Sequence, residues 1–314
     1  MHFWISIVLG LSSFGLVAAP ASFESAKKVA GRMYSSEKQE FYCGCTIRWQ
    51  GGKGIPDLNS CGYQVRKNGP RASRIEWEHV MPAQQFGSPL PCWQQGGRKA
   101  CAANDELFQR MEADLFNLKP AIGEVNGDRA HYRFGLLPSS VSAYGQCPVK
   151  IDFQARLVEP RPEIRGDIAR IYFYMADKYG ITLAKAQQQL FMAWHQQDPV
   201  DSAEQQMQQR LAQHMGHAND FVTGKKHWRL NYQPSRFGLT AAVQSDSTAK
   251  PAQLSASVVK GNKNSKLYHF SHCSGFRQIA ESNQVLFDSE LQAQQAGFSL
   301  AGNCKAADPG QSGE

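Results

Sequence analysis

Arg74-Ile75-Glu76-Trp77-Glu78-His79-Val80-Met81-Pro82 places two carboxylates and an imidazole within four residues of a run that is otherwise apolar after Arg74. Ile75 to Val80 reads as a strand. Adjacent side chains on a strand point to opposite sides of the pleat. At a strand end beside a bend, however, Glu78 and His79 can both reach one bound ion and one water. Carboxylate oxygen is a hard ligand suited to magnesium or manganese. Histidine titrates near neutrality and suits a general base. Together they fit phosphodiester hydrolysis, in which a metal neutralises the phosphate and an imidazole takes a proton from water. Taken alone, the dipeptide describes a surface glutamate beside a structural histidine.

Further along, Asp114-Leu-Phe-Asn117-Leu-Lys-Pro precedes Gly123-Glu-Val-Asn126-Gly-Asp-Arg129, which sets Asn117 and Asn126 nine residues apart. Asn104 to Leu115 predicts a helix capped by Asn104, with Leu107, Phe108, Met111 and Leu115 on one face, ended by Leu118-Lys-Pro. Ser22 to Met33, Ile122 to Arg133, Glu163 to Tyr179, Leu183 to Trp194 and Asp198 to Met215 also read as helical, and Gly44 to Asn68 as loops and short strands. Trp194 and the run Tyr172-Phe173-Tyr174 read as core. His131, His195, His214 and His217 read as surface or structural residues.

In order and spacing, Glu78-His79, Asn117 and Asn126 resemble the His-metal finger (ββα-metal) nucleases. Their pattern is a His at a strand end, a central Asn bracing the intervening loop, and a metal ligand on a short helix. The longer runs Glu76 to Gly87, Cys92-Trp-Gln-Gln-Gly-Gly-Arg98-Lys and Asp114 to Arg129 look like one family in particular, bacterial endonuclease I. The likeness covers roughly residues 22–238. It implies an α+β fold, a ββα-metal core with several additional helices, stabilised by disulfides. It implies His79 as general base, Glu78 and Asn126 holding one Mg2+ (with Mn2+ or Ca2+ as substitutes), Arg98 on the scissile phosphate and Asn117 as brace. Glu112 falls nearby as a supporting group. The resemblance further implies a monomer that cuts double-stranded DNA, and often RNA, with little sequence preference, leaving 5′-phosphate ends. A neutral Asn beside one Glu makes a weak magnesium site that strengthens when phosphate oxygens join. Arg98 offers a planar fork matched to phosphate.

The bulk properties fit an anionic partner. The chain of 314 residues carries a formal net charge of +7, with 42% hydrophobic and 19% charged residues. Arg66, Lys67, Arg71 and Arg74, just ahead of the strand, are candidates to track a DNA backbone, with a steep salt dependence if they do. Phe3 to Val17 is an apolar run followed by Ala18-Ala19-Pro20-Ala21, which reads as a signal peptide (1–21) cleaved after Ala21, or after Ala19 as second choice. Export to the periplasm or the medium follows, with no membrane association after cleavage. The eight cysteines agree, since an even number in an exported chain reads as disulfides. Cys43-Gly-Cys45 is poor zinc spacing and no Cys-x2-Cys pair occurs. Cys92 and Cys101 enclose a short polar loop and form the clearest pair; the pairing of Cys43, Cys45, Cys61 and Cys147 stays open. Two rival functions are a nucleic-acid-binding protein with a degenerate site and a zinc hydrolase. The first is disfavoured by the intact site set, the second by the absence of any His-Glu-x-x-His or three-His set.

After the main domain (22–238) comes a Ser-, Ala-, Thr- and Gln-rich stretch read as a flexible linker (239–265). A small α/β module (266–304) and a disordered tail (305–314) follow. Lys266-Leu-Tyr-His-Phe-Ser-His-Cys273, Asn283-Gln-Val-Leu-Phe287-Asp-Ser289, Ala296-Gly-Phe298 and Cys304 resemble the metal-binding module of the Ada methyl-phosphotriester repair protein. That module holds zinc on four cysteines. Here there are two, so the resemblance leaves a Cys273–Cys304 disulfide in the ion's place, with an auxiliary DNA contact or a plain spacer as roles.

Overall fold

A computed structural model describes residues 19–138, 143–239, 259–270, 273–287, 293, 296–302 and 304. Residues 1–18 of the expected signal, 240–258 of the expected linker and the 305–314 tail lie outside the described residues. The chain divides into two compact units, Met1–Asp246 and Ser247–Glu314. Among the described residues no helix is long and apolar enough to cross a membrane.

The first unit is built around a ββα element. Strand β3 (Ile75–His79) pairs antiparallel with β4 (Leu118–Ile122), placing Glu78 opposite Lys119 and His79 opposite Leu118. Helix α6 (Gly123–Arg129) follows β4 directly. Between the strands run α3 (Ala83–Gly87), α4 (Pro91–Asn104) and α5 (Glu106–Glu112). Ahead of them stand α1 (Phe23–Met33), the hairpin β1 (Thr46–Gln50) and β2 (Lys53–Asp57), and the single turn α2 (Gly69–Ala72). After them come β5 (Arg133–Phe134), β6 (Lys150–Asp152) and β7 (Leu157–Glu159), in the order β5-β7-β6, then α7 (Arg165–Tyr179), α8 (Lys185–Gln197) and α9 (Ser202–Met215).

Local chemistry sets these limits. Ser22 caps α1 in a reciprocal capping box with Ser25, and Asp201 caps α9 through the Glu204 amide. Helix α7 ends on Gly180 in the left-handed region (φ 66°). Its face Ile168, Ile171, Tyr172 and Met175 is buried with Phe191 and Trp194 of α8, in one core that reaches Phe86, Phe108 and Leu118. The expected core aromatics Tyr172, Phe173, Tyr174 and Trp194 are all buried.

Three expectations of local structure need correction. Asn104 does not cap the following helix; it is the last residue of α4, and the Asp105 carboxylate caps α5 by accepting from Phe108 N. Leu118-Lys-Pro does not merely stop a helix. It opens β4, and the strand tolerates Pro120 because this two-stranded sheet has only edges. The segment between Cys92 and Cys101 is helical on both sides of a break at Gly96 and Gly97, not a loop.

All four disulfides close: Cys43–Cys147, Cys45–Cys61, Cys92–Cys101 and Cys273–Cys304. In the second unit β8 (Val259–Asn262), β9 (Leu267–His269), β10 (Gln284–Phe287) and β11 (Ser299–Leu300) form one sheet in the order β10-β8-β9-β11. Strand β8 lies inside the stretch expected to be linker. Val259 and Gly261 face the small core of Tyr268, Phe287 and Phe298, a pattern that a composition reading does not register.

Candidate active site

A cleft of about 660 Å3 opens where β3 ends against α6. Glu76, Glu78, His79, Arg98 and Asn126 line it, together with Phe23 and Lys27 of α1, Arg71 of α2, and His131. The structure therefore brings Glu78, His79, Arg98 and Asn126 into one cavity. His131, read as surface or structural, lies on the wall of that cavity.

His79 is 7% exposed, and its ring packs against Phe23 at 4.6 Å between centroids, the two planes tilted by 41°. Its Nε2 lies 2.8 Å from the backbone carbonyl oxygen of Glu112. A carbonyl only accepts, so Nε2 carries the proton and Nδ1 keeps its lone pair. Burial, reinforced by the positive charges of Arg98 and Arg129 and opposed by the Glu112 hydrogen bond, holds the imidazole pKa down at about 3. The ring is therefore neutral at any pH near seven.

Glu78 is 2% exposed. Tyr42 donates to its Oε1 at 2.8 Å, and Arg129 Nη1 lies 3.1 Å from the same oxygen. Oε2 is left for the cleft. Burial pushes this carboxyl upward, and the Arg129 charge and the Tyr42 hydroxyl pull it back only in part. Asn126, on α6, donates from Nδ2 to Glu76 Oε2 at 3.1 Å, which fixes the amide and leaves Oδ1 as its unused hard donor. The donor set suits a small hard cation with few protein ligands: one carboxylate oxygen, one amide oxygen, and room for water and phosphate oxygens. Among the described residues no group of three or more His, Cys, Asp or Glu side chains could hold an ion by itself.

Arg98 sits just past the helix break. Gly97 has φ 61° and ψ −151°, a conformation that L-residues rarely adopt, and it redirects the second half of α4. The Cys92–Cys101 bridge ties the two halves together. Arg98 Nε donates to Glu112 Oε1 at 2.6 Å, and its guanidinium lies 5.3 Å from the Phe23 ring centre. Glu112 takes only Nε, so the terminal amino groups stay open to the cleft. Glu112, expected as a nearby support, thus touches both His79 and Arg98, the first through its carbonyl and the second through its carboxylate.

Asn117 lies outside the cavity, completely buried. Its Oδ1 accepts from Met81 N at 2.7 Å and its Nδ2 donates to Met81 O at 2.9 Å. Its own carbonyl accepts from Val80 N at 3.0 Å. The side chain therefore replaces a missing strand partner for the peptide that follows His79.

Three residues were missed by the sequence reading. Arg129 is fully buried and donates to the carbonyls of His79 (3.1 Å) and Val80 (2.6 Å) while pairing with Glu78. Its position three residues after Asn126, on the same helix face, is the signal that could have found it. Glu76 lies on the wall of the cleft and holds Asn126, because it shares a strand face with Glu78. Tyr42 has no sequence signal.

The four basic candidates upstream are all engaged. Arg66 bonds Asp128 through Nε and Nη2, and Lys67 pairs with the same carboxylate at 3.1 Å. Arg71 and Arg74 both pair with Glu76, which holds its carboxyl below the usual range against the effect of burial. Glu124, the second residue of α6, accepts from the amides of Arg66, Lys67 and Asn68 and from the Tyr63 hydroxyl. These bonds fasten α6, and with it Asn126, to the basic loop.

Residues 23–226 match the family described as Endonuclease I. The chain is 50% identical over 202 residues to an extracellular deoxyribonuclease of Aeromonas hydrophila, covering 64% of this chain and 88% of that protein. It is 47% identical over 201 residues to endonuclease-1 of Buchnera aphidicola subsp. Acyrthosiphon pisum, covering 64% and 80%. It is 35% identical over 213 residues to an extracellular endonuclease of Pseudomonas fluorescens biotype A, covering 65% and 87%. A matched segment that holds the whole cleft, with strand, brace and short helix in the family's order, makes this chain a nuclease that belongs to the Endonuclease I family.

Proposed function

We propose that the protein is a sequence-nonspecific endonuclease that hydrolyses DNA outside the cytoplasm, with RNA as a second substrate, one Mg2+ and His79 as general base. The observation that carries the reading is the Nε2 bond of His79 to the Glu112 carbonyl, which leaves a neutral Nδ1 in a cleft shared with Glu78 Oε2, Asn126 and Arg98. Relatives named extracellular and periplasmic deoxyribonucleases support both the substrate and the compartment. A Mg2+ ion held by Glu78 and Asn126 would neutralise phosphate charge and the leaving oxygen. His79 Nδ1 takes a proton from water as its oxygen attacks phosphorus. The P–O3′ bond breaks, and the 5′ side keeps the phosphate. Arg98 spreads the charge that develops on the non-bridging oxygens. Asn117 and Arg129 fix the peptide from His79 to Met81, so the base does not have to be ordered during the reaction.

Purified protein with plasmid DNA, assayed with Mg2+ and with EDTA beside His79→Ala, tests the reading. Cutting that needs Mg2+ and falls roughly a hundredfold or more in His79→Ala is expected, from the usual contribution of a general base. Undiminished cutting by His79→Ala, or no cutting by the wild type, overturns it.

A further inference from the structure

The family match ends at residue 226, so the second unit lies outside the matched segment. Its described charges are unlike those of the first unit. Lys27, Arg71 and Arg98, the cations that line the cleft, each pair with a carboxylate. Lys260, Lys263, Lys266 and Arg277 have no carboxylate partner among the described residues. Glu281 is the one acidic residue described in that unit. Lys263, Lys266 and Arg277 are exposed and Lys260 is half-buried.

The placement of the lysines is specific. A Cβ at Gly261 would lie 2.7 Å from the Phe287 ring and 2.8 Å from the Phe298 ring, so that side of β8 is core. Lys260, one residue earlier, faces the other way. Its strand neighbour on one side is Leu286, 58% exposed, and its ammonium sits 4.6 Å over the Phe276 ring. The turn from β8 to β9 is Lys263-Asn-Ser-Lys266. Asn262 Oδ1 fixes it, accepting from the amides of Asn264 (2.9 Å) and Ser265 (3.2 Å) and from Asn283 Nδ2 (2.8 Å). Lys266 adopts φ 54°, and its ammonium lies 4.7 Å over Phe298. A pinned hairpin thus carries Lys260, over Phe276 and beside exposed Leu286, on one face, Lys266, over Phe298, on the other, and Lys263 at the turn between them, so that a strand running over its tip meets all three.

We propose that this hairpin is a second DNA-binding surface of the enzyme, one that takes backbone phosphates outside the cleft and raises the time the enzyme spends on its polymer. A cation seated on a ring keeps its full charge for a phosphate and has lost less side-chain freedom on binding than a free lysine. The inference rests on the proposed DNA substrate, and the test separates the two. In the full-length chain, Lys260, Lys263 and Lys266 are changed together to Gln, and in a second variant together to Arg. Binding to linear duplex DNA is measured in a His79→Ala background across a salt series, and plasmid cleavage with His79 intact. The Gln variant should lower the slope of log affinity against log salt by about 2 to 3, from roughly 0.9 for each phosphate that is no longer neutralised. Its kcat/KM on plasmid should fall with kcat little changed, and the Arg variant should keep both. An unchanged slope in the Gln variant, or an Arg variant that loses as much as the Gln variant, overturns the proposal. Absence of plasmid cutting by the wild type would instead overturn the DNA-nuclease reading.

Discussion

Replacing Arg129 by Met should damage the molecule more than any change at the rim of the cleft. The guanidinium is buried and serves four acceptors, the carbonyls of His79, Val80 and Ala130 and the Glu78 carboxylate. Removing one partner of a buried pair typically costs about 3 to 5 kcal/mol, because the other charge stays buried and uncompensated. Each orphaned carbonyl adds roughly 1 kcal/mol or more. One term opposes these: Arg129 Nε is itself buried without a partner, and Met relieves that cost of about 1 kcal/mol. The net expectation is a loss of about 4 to 6 kcal/mol. For a unit of this size, 1 kcal/mol corresponds to roughly 2 to 4 °C, so Tm should fall by about 10 to 20 °C. All tryptophans of the chain precede residue 229, so fluorescence melts report on the first unit alone. The control is Glu78→Gln/Arg129→Met, in which no charge is left stranded. Its loss should fall short of the sum of the two single losses by about 1 to 3 kcal/mol. A single mutant within about 1 kcal/mol of wild type, or strict additivity in the double mutant, would refute the account of Arg129 as the counter-ion and clamp of the site.

Three further outcomes are expected. Asn117→Ala removes both bonds to Met81 and should cost about 2 kcal/mol by chemical denaturation, with a drop in kcat larger than in the affinity for DNA; equal losses in both would contradict a bracing role. Gly97→Ala forces a side chain into a conformation at φ 61° that costs roughly 1 to 3 kcal/mol, and should weaken cleavage through displacement of Arg98, which steady-state kinetics on plasmid reads directly. The depressed pKa of His79 means that the unfolded chain binds its proton first, so stability is fully present above pH 6.5 and is lost as pH falls toward 3. By about pH 4 this linkage amounts to at most about 3 kcal/mol, and His79→Gln should flatten that limb of the stability profile; an unchanged limb would show that the ring is protonated in the folded state.

The ββα element could be read from the sequence because its chemistry is local and ordered: a strand ending in Glu78-His79, then Asn117, then Asn126 on the next helix. The pair Cys92–Cys101 was readable for the same reason, being nine residues apart. Cys43–Cys147 was not, since a bridge spanning 104 residues leaves no local trace. Strand β4 was hidden by Pro120, which usually argues against a strand and is accepted here at an edge. The basic run from Arg66 to Arg74 suggested free cations, but charge counting does not locate the carboxylates of Glu76 and Asp128 that meet them in space. Tyr42 reaches Glu78 across 36 residues, and nothing in its neighbourhood announces that bond.

The two bonds made by Glu112 act as a common mount. Its carbonyl sets the imidazole and its carboxylate sets the arginine, so a shift of that one residue carries the His79 ring and the Arg98 fork together. Their spacing is thereby insulated from breathing of α5, which would otherwise misalign one against the other. Substitution separates the two functions in a way motion does not: Glu112→Gln keeps the carbonyl and slackens only the arginine, so the enzyme should retain its base while losing grip on the phosphate.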